Sequence, residues 1–191
     1  MRKIILASTS PRRKALLAFT GLPFAVEESN YEEDMTLPLP PKKLAIFLSR
    51  GKAEAVARRH KNAIVIGADT FVVVGRELMG KARTPAEARL MLRKLSGRKT
   101  SAITAFTVID TKSGRRVSKA VESLVYFKKF TARDIEGYIR SGESLGKAGA
   151  YTVQGLGGVL IRKIEGDFPG IVGLPIYALS ETLKKFGISV L

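Results

Sequence analysis

The sequence has no cysteine and no tryptophan, and a single histidine, His60, among its 191 residues. Without cysteine there are no disulfides and no thiolate metal sites, and one histidine leaves little room for a histidine-built zinc centre or Ser-His-Asp chemistry. Long apolar runs are missing too. Ala63 to Ala68 and Phe71 to Val74 fall far short of the roughly 20 residues that span a bilayer. The N-terminus lacks the long apolar core of a signal peptide, so a cytosolic protein is expected, with no membrane partner. Negative charge is also scarce, with 17 Asp and Glu against 33 Lys and Arg, a formal charge of +16. Such an excess suits nucleic acid, an anionic membrane or a small polyanionic substrate drawn in by the field of the molecule. No arginine-glycine tract, zinc finger or aromatic RNA-binding signature accompanies it, and the basic residues are scattered along most predicted helices. Most of the charge therefore reads as solvated surface, with a few cations committed to a site and no specific nucleic-acid partner expected. Length and uniform composition predict one domain, residues 1–191, with a substantial core.

The stretch Ser8-Thr9-Ser10-Pro11-Arg12-Arg13 follows the apolar run Ile4 to Ala7 and opens a periodic segment that Gly21 closes. That is strand, loop, helix. Ser10 suits the N-cap, where its hydroxyl can accept a backbone N–H, and Pro11 suits the first helical position. Free N–H groups, two hydroxyls and two guanidinium groups at a helix start suit a phosphate. An ordinary capped helix with a solvated basic turn has the same sequence.

Phe24-Ala25-Val26 reads as a short strand running into an acidic cluster, Glu27, Glu28, Glu32, Glu33 and Asp34, which either holds a divalent ion or is a solvated acidic loop. A proline-rich linker precedes a long helix whose Leu44, Phe47, Leu48, Gly51 and Ala55 are expected to face the core, with Lys52 beside them. His60, in the basic end of that helix, suits a structural role there. Ala63 to Ala68 reads as a strand buried on both faces, with Asp69-Thr70 at its end. Ligands of open α/β sheets bind beyond strand carboxyl ends, so Asp69 is a catalytic or metal candidate, or else an Asp that caps a turn. Phe71 to Val74 continues as a strand, Gly75-Arg76 turns it, and a return through Leu78 to Lys81 is expected to bring Lys81 toward Asp69.

Thr84-Pro85-Ala86-Glu87 predicts a capping box that starts a structural helix ending near Gly97. Thr100 to Asp110 and Val117 to Phe127 predict an antiparallel hairpin, and Thr131 with Asp134 starts a helix, Ile135 to Arg140, that Gly142 closes. Between Gly146 and Gly158 the chain is dense in glycine without a repeat, which predicts a rigid binding loop. A strand from Val159 to Ile164, a turn over Gly166 to Gly170, and a terminal helix from Ile176 to Phe186 complete the reading.

Taken together, these pieces resemble the Maf family of nucleotide pyrophosphatases, also called septum formation proteins. The resemblance is carried by Leu6 to Leu17, Gly67-Ala68-Asp69-Thr70, Gly80-Lys81, Leu95-Ser96-Gly97-Arg98, Lys147 to Tyr151, Gln154-Gly155, Ile164-Glu165-Gly166-Asp167 and Gly173-Leu174-Pro175, in family order. Thr100 and Gly146 depart from the pattern, where relatives usually carry His and Asp. The resemblance implies an elongated α/β fold similar to the inosine-triphosphate pyrophosphatases, a mixed sheet flanked by helices with two lobes around a central cleft. It implies hydrolysis of a nucleoside triphosphate to monophosphate and pyrophosphate, assisted by Mg2+ or Mn2+. Asp69 takes the role of proton acceptor, either activating the water directly or holding the ion that lowers its pKa, and an acid matching Glu33, or else Glu32 beside it, completes the metal site. Lys52, Lys81, Arg13, Ser8 and Ser10 fall to the phosphates. Arg12, Thr70 and Gln154 match the group acting on UTP and dTTP, and a glutamine amide can meet the donor and acceptor edge of uracil.

Two other readings stay open at this point. One is a nucleic-acid-binding or cell-division regulatory protein on the same fold without turnover, motivated by the charge. The other is a house-cleaning pyrophosphatase for modified nucleotides. A homodimer is compatible with all three.

Overall fold

A computed structural model describes residues 2–191. Its elements run β1 (Lys3–Leu6), α1 (Pro11–Ala18), β2 (Phe24–Val26), α2 (Pro41–Ala57), β3 (Ala63–Val74), β4 (Glu77–Met79), α3 (Pro85–Leu95), β5 (Lys99–Asp110), β6 (Arg116–Phe127), α4 (Ala132–Arg140), a 3₁₀ helix (Gly155–Leu160), β7 (Ile161–Glu165), α5 (Phe168–Val172) and α6 (Ile176–Lys184). The strands form one seven-stranded sheet in the order β2-β1-β3-β5-β6-β7, with β4 paired to β3. β1 runs parallel to β2 and β3, whereas β4 is antiparallel to β3 and β7 to β6. This is the expected mixed α/β sheet.

The chain divides into two compact units, one comprising residues up to 69, 104–121 and 173–191, the other 70–103 and 122–172. In the first, Ile5, Ala7, Ala53, Val56, Ala63, Val65 and Ile109 form a cluster between strands and α2. The first seven residues of β3 are buried, as expected of a continuous apolar strand covered on both faces. The second unit packs Val72, Met79, Leu92, Leu95, Val125 and Tyr138 around Phe127, whose ring meets Phe130 and Tyr151 edge-on at 5.8 and 4.9 Å.

Several local expectations are corrected. The two expected strand pieces, Ala63 to Ala68 and Phe71 to Val74, form one unbroken β3 whose β-branched run carries the extended backbone through Asp69-Thr70. Asp69 therefore sits within a strand rather than beyond its end. On α2 the buried line is Leu44, Ala45, Leu48, Ser49, Lys52, Ala53 and Val56, while Phe47 is 45 % exposed and Gly51 and Ala55 are only partly covered. The helical stripe passes through polar Ser49 and Lys52, which a reading by apolar residues alone steps over. Thr84 accepts the Glu87 N–H at 3.1 Å, but the Glu87 carboxylate accepts from the Arg83 N–H at 2.7 Å, one residue earlier than a capping box requires. Thr131 and Asp134 do form the full box. Val159 and Leu160 are in the 3₁₀ helix rather than a strand, because the Glu143 carboxylate accepts the N–H groups of Leu156 and Gly157 at 2.9 and 3.0 Å and caps that turn. The expected turn after Gly166 becomes α5, whose Gly170 N–H donates to the Asp167 side chain.

Candidate active site

The site begins with a close approach. A methyl group on Gly67 would lie 2.4 Å from the Ser49 carbonyl oxygen and 2.7 Å from the Ala53 nitrogen, so α2 rests directly on the backbone of β3 at this point. Asp69 is two residues further along the strand, on the same face as Gly67, and Lys52 lies on the α2 turn that Gly67 admits. The Lys52 ammonium donates to Asp69 Oδ1, with both side chains less than a tenth exposed. The same ammonium lies 2.8 Å from Glu33 Oε1, whose side chain is 36 % exposed.

The Ser8–Arg13 segment belongs to the same unit. Ser8 is buried, and its hydroxyl accepts the Ser10 N–H and an Arg13 guanidinium N–H, each at 3.3 Å. Arg13 Nε donates to the Gly173 carbonyl at 3.0 Å, which fixes the guanidinium between the first loop and the Gly173-Leu174-Pro175 turn. Burial lowers the Arg13 pKa, against the carboxylates of Asp69 and Glu33, which raise it, while Arg12 lowers it further. Lys52, Asp69 and Glu33 are in direct contact, and Arg13 feels the charge of both carboxylates and of Arg12. Ser10 holds the N-cap position but makes no side-chain capping bond, a correction to the expectation. The Ser10 N–H donates to the Ser8 hydroxyl at 3.3 Å, while the Ser10 carbonyl accepts the Lys14 N–H at 3.1 Å and so starts the helix through its backbone alone.

The acidic cluster separates into distinct roles. Glu27 pairs with Arg59 at 2.9 Å and His60 at 2.7 Å, and Arg59 also donates to the Glu28 carbonyl at 2.7 Å. His60 is therefore structural, as expected. Asp34 accepts from the Thr36 hydroxyl at 2.6 Å and N–H at 2.9 Å, bonds that hold its pKa below the ordinary carboxylate value. Glu32 is exposed. Glu33 is the member that reaches Lys52.

Thr70, Lys81 and Gln154 belong to the second unit. Thr70 lies half-buried in β3. Lys81 forms a backbone bridge with Ala148, flanked by the Gly149 N–H donating to the Gly80 carbonyl at 3.0 Å and the Gly146 N–H to the Ala82 carbonyl at 2.8 Å. The glycine-dense loop is thus tied to the Gly80-Lys81 segment. Gln154 is exposed at the N-cap of the 3₁₀ helix, and its N–H donates to Thr152 Oγ1 at 3.2 Å. Glu143, which holds that helix by two N–H groups, was not singled out from sequence; its signal is a lone acid just ahead of a glycine-dense loop.

Among the described residues, no group of three or more His, Asp or Glu side chains could cage a metal by itself. Glu33 and Asp69, drawn to one ammonium, fit instead a cation of the Mg2+ type, which takes one or two carboxylates and completes its shell with water and substrate phosphate.

A family profile described as Maf-like protein matches residues 3–186. The chain belongs to the Maf family. It is 46 % identical over 191 residues to a dTTP/UTP pyrophosphatase of Methanosarcina mazei, covering 100 % of this chain and 97 % of the relative. It is 42 % identical over 190 residues to a dTTP/UTP pyrophosphatase of Moorella thermoacetica, covering 100 % and 98 %. Among solved structures, a Ham1 protein from Coxiella burnetii matches with a TM-score of 0.53 at 14 % identity, over 97 % of this chain and 100 % of that one. That likeness shows that the Maf chain shares the fold. Among its described residues, no helix is long and apolar enough to cross a membrane.

Proposed function

We propose that this Maf protein is a dTTP/UTP pyrophosphatase: it hydrolyses the nucleoside triphosphate to the monophosphate and pyrophosphate with the help of Mg2+ or Mn2+. The observation that carries the reading is the buried Lys52 ammonium held between Asp69 and Glu33, a polar constellation that core packing does not require. Relatives 42–46 % identical along the whole chain bear the same name.

In the proposed reaction a water oxygen forms a bond to the α-phosphorus, and the bond from that phosphorus to the bridging oxygen breaks. The electron pair leaves on pyrophosphate. Asp69 accepts the water proton, and Lys52, donating to one of its oxygens, keeps the carboxylate aimed. A divalent ion held by Glu33 and Asp69 would screen the triphosphate and lower the pKa of bound water. Arg13, Ser8 and Ser10 bind phosphate oxygens, and Arg13 is pre-oriented by Ser8 and Gly173, so little of its side-chain freedom is lost on binding. Lys81 neutralises charge on the leaving pyrophosphate. Arg12, Thr70 and Gln154 are assigned to base choice, and a site built to pair the uracil edge rejects a base that leaves its donors unmet.

The test is product analysis on a nucleotide panel with and without Mg2+ or Mn2+. UTP and dTTP should give monophosphate plus pyrophosphate only with metal, far ahead of GTP and 7-methyl-GTP in kcat/KM. Release of orthophosphate with a diphosphate product, or no turnover with either metal, would overturn the proposal.

A further inference from the structure

The loop that carries Glu33 is tied at its start to the end of α2 and folded on itself near its end. Its start is held by Glu27 on Arg59 and His60 and by Arg59 on the Glu28 carbonyl. Its end is closed by Asp34 on Thr36. Between these, Asn30 adopts a left-handed φ of 48° just ahead of Tyr31. Tyr31 follows, its ring lying where a side chain at position 51 would be: a methyl group on Gly51 would fall 2.2, 2.4 and 2.7 Å from three ring carbons. Two residues later Glu33 meets Lys52, the next position on the same helix. Tyr31 on Gly51 and Glu33 on Lys52 thus form consecutive contacts between one loop and one helix.

We propose that Tyr31, seated in the notch left by Gly51, is a positioning residue that sets the register of the acidic loop on α2 and so delivers Glu33 to Lys52 and Asp69. The notch explains a glycine in the interior of a long helix, where alanine is ordinarily the better residue. Tyr31 touches no reacting atom and acts through Glu33. The inference rests on the reading above that Glu33 helps to hold the divalent ion. It adds that the affinity for that ion depends on an aromatic ring and a missing methyl group, neither of which can ligate it.

The test measures Mn2+ binding directly, from the loss of the free-ion paramagnetic resonance signal, in the presence of a non-hydrolysable UTP analogue. Wild type is compared with Gly51→Ala, Tyr31→Ala, the double variant, Tyr31→Phe and Glu33→Gln. Thermal melting checks that each variant folds. Tyr31→Ala and Gly51→Ala should each weaken Mn2+ binding by roughly 10-fold, the low end for residues that orient a metal ligand. Because both act through one contact, the double variant should be no worse than Tyr31→Ala, and Tyr31→Phe, which keeps the ring, should bind Mn2+ as wild type does. If Glu33→Gln weakens Mn2+ binding but Tyr31→Ala and Gly51→Ala do not, or if their losses simply add, the positioning role is wrong while the metal reading stands. If Glu33→Gln itself leaves Mn2+ binding unchanged, the metal reading fails and this inference fails with it.

Discussion

Lys52 sets the electrostatics of the site, and its two partners are not equivalent. The contact with Asp69 is buried on both sides, where breaking a charge pair costs about 3–5 kcal/mol because the survivor is left uncompensated. The contact with Glu33 is buried on the lysine side only, and Lys52 keeps Asp69 as a partner when Glu33 loses its charge. Lys52→Met is therefore expected to destabilise the fold clearly, whereas Glu33→Gln should leave the melting temperature nearly unchanged and act on the metal response; paired melting curves check this. Asp69→Asn, close in shape, should fold but lose at least roughly 100-fold in kcat, the lower end for loss of an acid–base group. Near-normal turnover in that variant would remove Asp69 from the chemistry. The charged residues of this unit were visible in the sequence as residue types in motifs. Tyr31 was not, because its role depends on a gap in a helix that is remote in sequence, and no local pattern encodes that pairing. Ser10 holds the N-cap position that its sequence context predicts, but its hydroxyl does not cap.

At the scale of elements, the contact between β3 and α2 positions the buried pair. Gly67→Ala would place a methyl group against the backbone of Ser49 and Ala53, which cannot rotate away as a side chain would. Overpacking of this kind costs about 1–3 kcal/mol, and the shift of α2 should lower kcat as well as stability. Loss of stability without loss of activity would show that the approach is not what aligns Lys52. In the second unit α4 offers a test by pH. Hydrogen bonds from the Thr131 backbone, Lys128 and the Thr131 hydroxyl hold Asp134 at a pKa of about 2, below its ordinary 3.8. A carboxylate depressed on folding stabilises above its unfolded pKa, and that contribution disappears as pH falls through the folded value. The melting-temperature gap between wild type and Asp134→Asn should accordingly be full near pH 5 and shrink from about 3.8 toward about 2; a gap independent of pH would contradict the capping account. Sequence pattern located most elements because capping residues and apolar strands are local signals. It misplaced the buried stripe of α2 because Ser49 and Lys52 occupy buried positions with polar partners of their own, Ser49 on the Ile46 carbonyl and on Thr107, and Lys52 on Asp69, so the hydrophobic pattern is interrupted there. Asp69, expected at a strand end, lies inside β3, since a polar residue within a strand imitates a strand end.

For the whole molecule the excess of positive charge, +16, bears on how an anionic substrate is gathered. If scattered Lys and Arg draw in a triphosphate, KM for UTP should rise several-fold between roughly 0.1 and 1 M salt, as the Debye length shrinks from about 10 Å to 3 Å. kcat should move much less, because the buried pair is poorly screened. Titration at constant metal activity measures both. Tight, salt-sensitive RNA binding without nucleotide turnover would favour the binding protein that charge alone first suggested. The most direct test of the central claim, that water attacks the α-phosphorus in a reaction driven from Asp69, is hydrolysis of UTP in heavy-oxygen water followed by mass spectrometry of the products. The account predicts one heavy oxygen in UMP and none in pyrophosphate, with the rate collapsing in Asp69→Asn. Label in pyrophosphate, or in orthophosphate released alongside UDP, would contradict it.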